Sequence, residues 1–278
     1  MKNNKNIDEI ILSYSTRGMD LIQKEYPKAQ FCRKAVENFL ELESGTVFLY
    51  TGFYVNGHAE TDGPVGTYFL ALALEKLGYK PVIVSDRYCL EYFKDITPLY
   101  MPLKGTTKKE NKKILKEYNP ICHISIERLG QNEEGRYLNS KGVDIGEFTA
   151  PLDELFVQAN KKAPTIAIGD GGNEIGMGNF KEFIKESLHV DPCVVECDYP
   201  IIASVSNWGA YGFIAYMQFF TRKKLLPTIE EVEEYMKHIL SLGCIDGLSG
   251  KNEMSVDGKE WHSEEEILSE LGRATLIK

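Results

Sequence analysis

Asp170, Asn173 and Glu174 crowd into one turn of the stretch Gly169-Asp170-Gly171-Gly172-Asn173-Glu174-Ile175-Gly176-Met177-Gly178-Asn179, directly after an apolar run at 165–168. Two carboxylates and an amide at this spacing supply a proton acceptor, hydrogen-bond donors and oxygen ligands for a cation. The glycines let the main chain approach a ligand closely. Asp170, Glu174 and Asn173 are therefore catalytic candidates, and the N–H groups of Gly171 and Gly172 are candidates for holding substrate. Asp170 and Glu174 are also candidate ligands of a divalent cation; their oxygens would suit Mg²⁺ or Mn²⁺, although the pattern permits a metal without requiring one.

Other polar pairs stand just beyond apolar runs: Thr51-Gly52, Ser85-Asp86, Glu127-Arg128 and Ser206-Asn207. In a parallel sheet such positions share one edge, so residues distant in the chain can converge there. Arg128 is a candidate clamp for a substrate carboxylate, since a guanidinium binds carboxylates bidentately. An ion pair with Glu127 or another nearby acid is the plainer reading of the same residue. Glu127, Ser206 and Asn207 join Arg128 as substrate-binding candidates. Asp62 is either an acid/base group or the cap of the helix that Pro64 begins, and Gly63 and Gly66 bring that helix start within reach of an anion. Asp86 is read as a helix cap as readily as a site residue, and His123, inside an apolar run, as a core residue.

The elements that must position these residues alternate. Helical spacing marks 7–44, interrupted at Arg17-Gly18 and at Pro27; a strand follows at 47–50, a helix at 64–77 and a strand at 81–84. The pattern continues with a helix at 87–93, a strand at 98–101, a helix at 108–118, strands at 122–126 and 165–168 and, between those two, a helix at 151–161. Helices at 180–187, 206–220, 229–242 and 263–271 and strand-like runs at 194–195 and 201–205 complete it. The fold class this predicts is α/β, an open and largely parallel sheet with helices on both faces, Rossmann-like and doubly wound, with a helical N-terminal preface. The chain is read as a single α/β domain over 1–278, with 1–44 an extension packed on it. Two long polar segments, 131–146 and 245–258, are candidates for closing over a site.

The formal charge of −9, from 41 acidic and 32 basic residues, argues against nucleic-acid and membrane-surface partners and toward a small-molecule substrate. A homo-oligomer is left open. No apolar run approaches the roughly 20 residues of a membrane span, and the polar start, 1–8, does not read as a secretory signal. The six cysteines are scattered without a zinc-ligand pattern, as in a cytoplasmic protein with reduced thiols.

Gly63-x-x-Gly66 with Asp86 matches only part of a dinucleotide fingerprint. The 169–174 loop resembles the metal-binding loop of haloacid-dehalogenase-type phosphatases, but the first strand and its end, 47–52, lack the D-x-D nucleophile of those enzymes. Taken together, Thr51-Gly52-Phe53, Glu60-Thr61-Asp62-Gly63-Pro64, 124–130, 169–178 and Ser206-Asn207-Trp208-Gly209 resemble the D-glutamate cyclase family over about 45–222. The resemblance implies a lyase that converts D-glutamate to 5-oxo-D-proline with loss of water, acting on an amino-acid substrate. Eukaryotic members are larger and mitochondrial, with a further domain. A metal-dependent phosphatase and a nucleotide- or amino-acid-binding module without turnover stand as the alternatives.

Overall fold

Six short runs dominated by apolar residues pair side by side in the structure, a computed structural model that describes residues 5–159 and 163–276. They are β1 (Thr46–Tyr50), β2 (Lys80–Ser85), β3 (Thr97–Tyr100), β4 (Cys122–Ile126), β5 (Thr165–Gly169) and β6 (Tyr199–Ile202). All pairings are parallel, and the spatial order is β3-β2-β1-β4-β5-β6. This is the Rossmann-like order, in which the chain leaves β1 in one direction and returns to add β4 on its other side. The crevice outside the C-terminal ends of β1 and β4 is where such sheets bind ligands.

Alternation along the strands divides the core. Val47 and Leu49 of β1, Ile83 of β2, Ile124 and Ile126 of β4 and Ile166 and Ile168 of β5 point into one apolar layer. Phe48, Tyr50, Val82, Val84 and Ala167 point into the other, as the two-residue period of a strand requires. Helices α4 (Pro64–Lys76) and α8 (Ser206–Thr221) cover the first layer, reinforced by α9 (Ile229–Ser241) and α10 (Trp261–Thr275). On the opposite face α5 (Lys108–Tyr118) and α6 (Leu152–Ala159) pack against the second layer.

The N-terminal preface is three helices, α1 (Ile7–Ile11), α2 (Met19–Glu25) and α3 (Phe31–Phe39), broken near Arg17-Gly18 and at Pro27. Ile7, Ile10 and Ile11 share the apolar layer of α8. Asp8 ties the preface down, accepting from the Tyr216 hydroxyl at 2.6 Å and from the Cys32 N–H at 2.9 Å. α2 packs with Met177, Phe180 and, from α7 (Lys181–Ser187), Ile184 behind the glycine loop. The preface therefore reaches the C-terminal edge of the sheet.

Two elements differ from the sequence expectation. Only one 3₁₀ turn, Arg87–Cys89, forms where a helix over 87–93 was expected; the Asp86 carboxylate caps it through the Tyr88 N–H at 3.1 Å. Residues 194–195 make no strand, because their main chain is drawn toward loops: the Val195 carbonyl accepts from Gly176 and Gly178, and the Val194 N–H donates to Gln131. The helix expected over 151–161 is seen to Ala159, and its last two positions lie outside the described residues. Among the described residues no helix is long and apolar enough to cross a membrane.

Candidate active site

At the crevice, α4 and α8 start side by side and cap each other. Asn207, in the first turn of α8, accepts through Oδ1 from the N–H groups of Gly63 (2.9 Å) and Gly66 (2.7 Å) at the start of α4. In return Asp62 accepts from the N–H groups of Ser206 (2.8 Å) and Asn207 (2.7 Å). Each helix start thus satisfies its orphan donors with a side chain from the other, a crossed version of ordinary N-capping. The geometry needs Gly66, where an added Cβ would lie 2.8 Å from both Asn207 Cα and Ala210 Cβ.

This crossing leaves Asp62 buried beside the end of β4. Glu127, the first residue past β4, takes a left-handed backbone (φ 46°), uncommon for a residue with a side chain. Its carboxylate accepts from the Ser206 hydroxyl at 2.6 Å. Asp170, the first residue past β5, completes the group: Asp62, Glu127 and Asp170 place carboxylate oxygens within 4.8 Å of one another. Each is at most 3% exposed, so the cluster is closed from bulk water.

The cation facing this cluster comes from the preface. Arg17, between α1 and α2, pairs through Nη2 with both Asp170 and Asp257. Asp257 belongs to the 245–258 segment, which also leans on the site through the Thr61 hydroxyl, donating to the Ser255 carbonyl at 2.9 Å. A Cβ on Gly247 would fall 1.6 Å from the Glu60 carboxylate, so the segment passes directly over that buried acid. Asp170 keeps one oxygen, Oδ1, buried and without a partner among the described residues.

Burial is the first cause that lifts these acids. It raises the Asp62 carboxyl to about 8, with the charge of Asp257 adding to it. Glu127 and Asp170 are raised in the same direction: burial comes first, neighbouring carboxylates add to it, and Arg17 opposes. Glu60 is raised likewise. Burial pulls Arg17 down, but Asp170 and Asp257 outweigh it and hold the guanidinium charged. Crowded acids of this kind share protons, since not all of them can ionise together.

Glu174 borders this cluster, its charge acting on both Glu127 and Arg17, whereas Asn173 and Arg128 fall elsewhere. Glu174 turns back on its own loop, accepting from the Gly171 N–H at 2.8 Å and the Gly172 N–H at 2.7 Å, so those two donors are engaged inside the turn. Asn173 donates to the Leu138 carbonyl at 2.9 Å and binds the 131–146 segment to the loop. The Arg128 guanidinium is 1% exposed and points away from the carboxylate cluster. It pairs with Asp86 at 2.8 Å and donates to the carbonyls of Gly52 and Ala150. All six cysteines are free and buried. Arg17 and Asp257 were not singled out in the sequence. Arg17-Gly18 registers there as a break between helices, and Asp257 only as part of the polar 245–258 segment.

A family profile described as "D-glutamate cyclase-like, C-terminal" matches residues 7–272. Human mitochondrial D-glutamate cyclase is 28% identical over 269 residues, an alignment covering 78% of this chain and 44% of the human protein. The chain thus spans less than half the length of this curated relative. Among solved structures, a glycosyltransferase from Rickettsia africae superimposes with a TM-score of 0.32 at 16% identity, over 58% of this chain and 43% of that one. An epimerase from Methanothermobacter thermautotrophicus gives 0.32 at 12% identity, over 69% and 52%.

Proposed function

The chain belongs to the D-glutamate cyclase-like family, and from that premise we propose that it is a lyase converting D-glutamate to 5-oxo-D-proline and water. The observation that carries the reading is the buried group Asp62, Glu127 and Asp170, with the unpartnered oxygen of Asp170. The substrate amine must bond to its own side-chain carboxyl carbon while one carboxyl oxygen leaves. Starting from an ammonium and a carboxylate, two protons move from nitrogen to the departing oxygen, which leaves as water. A set of carboxyls that share protons suits both halves of that transfer, and general acid–base help of this kind contributes on the order of 10²–10⁴ in rate.

The same cluster attracts the ammonium before reaction. Several buried or nearly buried acids, among them Asp62, Glu127, Asp170, Glu174 and Asp257, act on one guanidinium, so an incoming cation relieves their repulsion and releases protons. Arg17 stands where the attacked carboxylate gathers negative charge. The Gly63, Gly66, Gly171 and Gly172 donors are engaged within the fold, which leaves that stabilisation to the guanidinium. Folding the substrate so that amine and carboxyl meet is a further large part of the rate.

The donor set of Asp62, Glu127 and Asp170 is all oxygen and fits a hard divalent cation such as Mg²⁺ or Mn²⁺, with Asp170 Oδ1 the free ligand atom. Such an ion would supply Lewis-acid polarisation of the carboxylate. The free cysteines support a reducing compartment such as the cytoplasm. The test is direct: purified protein incubated with D- or L-glutamate, with and without Mn²⁺, and 5-oxoproline followed by chromatography. Product from D-glutamate is expected, and none from either enantiomer under any condition defeats the proposal.

A further inference from the structure

On the face of the sheet away from the carboxylate cluster, α5 and α6 line a half-open cavity of about 940 Å³. That is near the upper end of the range for small-molecule and cofactor sites. Lys108, Lys112 and Lys116 stand along one wall, and their spacing of four residues puts all three ammonium groups on the same side of α5. The opposite wall, on α6, carries Asp153 and the exposed Glu154, and an apolar band containing Leu115 and Val157 lies between the walls.

The floor contains an unfinished polar group. His123 on β4 is 1% exposed, lines the cavity, and uses Nδ1 for a 2.7 Å hydrogen bond with the Tyr50 hydroxyl. Its other nitrogen, Nε2, makes no hydrogen bond to another described residue, and the ring borders the cavity. The phenol is the natural donor to a neutral imidazole, so Nδ1 accepts and Nε2 carries the proton. An N–H that borders a cavity is a donor that an acceptor on a ligand can meet. Asp153 is already engaged, accepting from the Tyr137 hydroxyl and from the Gln131 N–H at 3.1 Å. Glu154 is the carboxylate left open to a ligand.

We propose that this cavity binds a nucleoside phosphate, with the phosphate against Lys108, Lys112 and Lys116, the base in the apolar band over His123, and Glu154 accepting from the ribose hydroxyls. The cavity is polarised, positive on one wall and negative on the other, with an apolar middle and a single buried donor. A ligand with an anionic end, a flat apolar body bearing hydrogen-bond acceptors and a hydroxyl-bearing sugar matches each part. A bare anion matches only the lysines. The site is separate from the carboxylate cluster and does not depend on the reaction proposed there.

The test is calorimetric titration of the full chain with AMP, ADP, adenosine and inorganic phosphate, each up to about 1 mM. Nucleotide binding below that concentration is expected, with adenosine and phosphate each weaker than the joined molecule. The charge reversals Lys112→Glu and Lys116→Glu lie on an exposed helix face, so the fold survives them. Together they are expected to weaken nucleotide binding roughly tenfold or more. His123→Gln, with melting temperature checked first, should weaken AMP and adenosine alike and leave phosphate unchanged. No nucleotide binding, binding indifferent to the lysine reversals, or phosphate binding as tightly as AMP would each overturn the assignment.

Discussion

Replacing Arg17 by methionine keeps most of the side-chain volume and removes the cation from the carboxylate cluster. Arg17 is 23% exposed on its side chain, while Asp170 and Asp257 are 0% and 5% exposed. Breaking a buried pair costs about 3–5 kcal/mol, chiefly because the partner charge is left uncompensated; partial exposure of the guanidinium argues for the lower end, about 3 kcal/mol. The cost depends on pH. In the folded protein the Asp170 carboxyl already titrates above its ordinary value through burial, against the pull of Arg17. A group raised in this way stabilises the fold fully below its unfolded pKa and loses that contribution as pH rises through the folded one. Without Arg17 the folded pKa climbs further, so the penalty is largest in base, where the charge must be forced, and small in acid, where a proton replaces the guanidinium. Urea unfolding of wild type and Arg17→Met at about pH 5 and about pH 8 measures both ends. The expected difference is about 3 kcal/mol at the higher pH and about 1 kcal/mol or less at the lower. An equal loss at both pH values, or a loss under about 1 kcal/mol at the higher one, refutes the view that Arg17 neutralises this cluster.

Asp170→Asn keeps the shape of the site and removes one proton acceptor; 5-oxoproline formation should drop on the order of 10²–10⁴ with the melting temperature nearly unchanged. Because the Asp62 carboxyl is raised to about 8, the rate profile of the parent protein should bend near that pH. The bend should vanish from the profile of Asp62→Asn whatever activity remains. Gly66→Ala drives a methyl against Asn207 Cα and Ala210 Cβ, each 2.8 Å from the added carbon. It should cost about 1–3 kcal/mol in urea unfolding, since overpacking at a close helix contact is relieved only by moving one helix.

Much of the scaffold is legible in the sequence because parallel strands are buried on both faces and read as short apolar runs between helices. The runs at 47–50, 81–84, 122–126 and 165–168 fall within β1, β2, β4 and β5. The sheet edge to which Glu127 and Asp170 belong follows from that alternation alone. Glu174 shows where this kind of reading stops. A carboxylate four residues after Asp170 looks the same in sequence whether or not it closes its own turn; the 2.8 and 2.7 Å bonds to Gly171 and Gly172, made beside Glu127 and Arg17, are seen only in the structure. The crossed caps of Asn207 and Asp62 are likewise invisible without knowing that α4 and α8 begin side by side.

The two arginines make the same point in opposite directions. Glu127 and Arg128 are neighbours just past a strand, and the chain turns between them through the left-handed backbone of Glu127 (φ 46°). Glu127 joins the carboxylates on the α4/α8 side, while Arg128 meets Asp86 and the Ala150 carbonyl. Adjacency in the sequence made Arg128 attractive as a partner for the site, and the turn at Glu127 separates the two. A positive charge lets more of these buried acids stay ionised than proton sharing alone allows. That charge has to come from an element whose backbone approaches from outside the sheet. The break between α1 and α2 supplies it: Gly18 takes φ 88°, the chain turns, and Arg17 reaches Asp170 and Asp257 at once. The N-terminal preface therefore contributes to the site itself, and truncating the chain before α2 should abolish activity even if the sheet still folds.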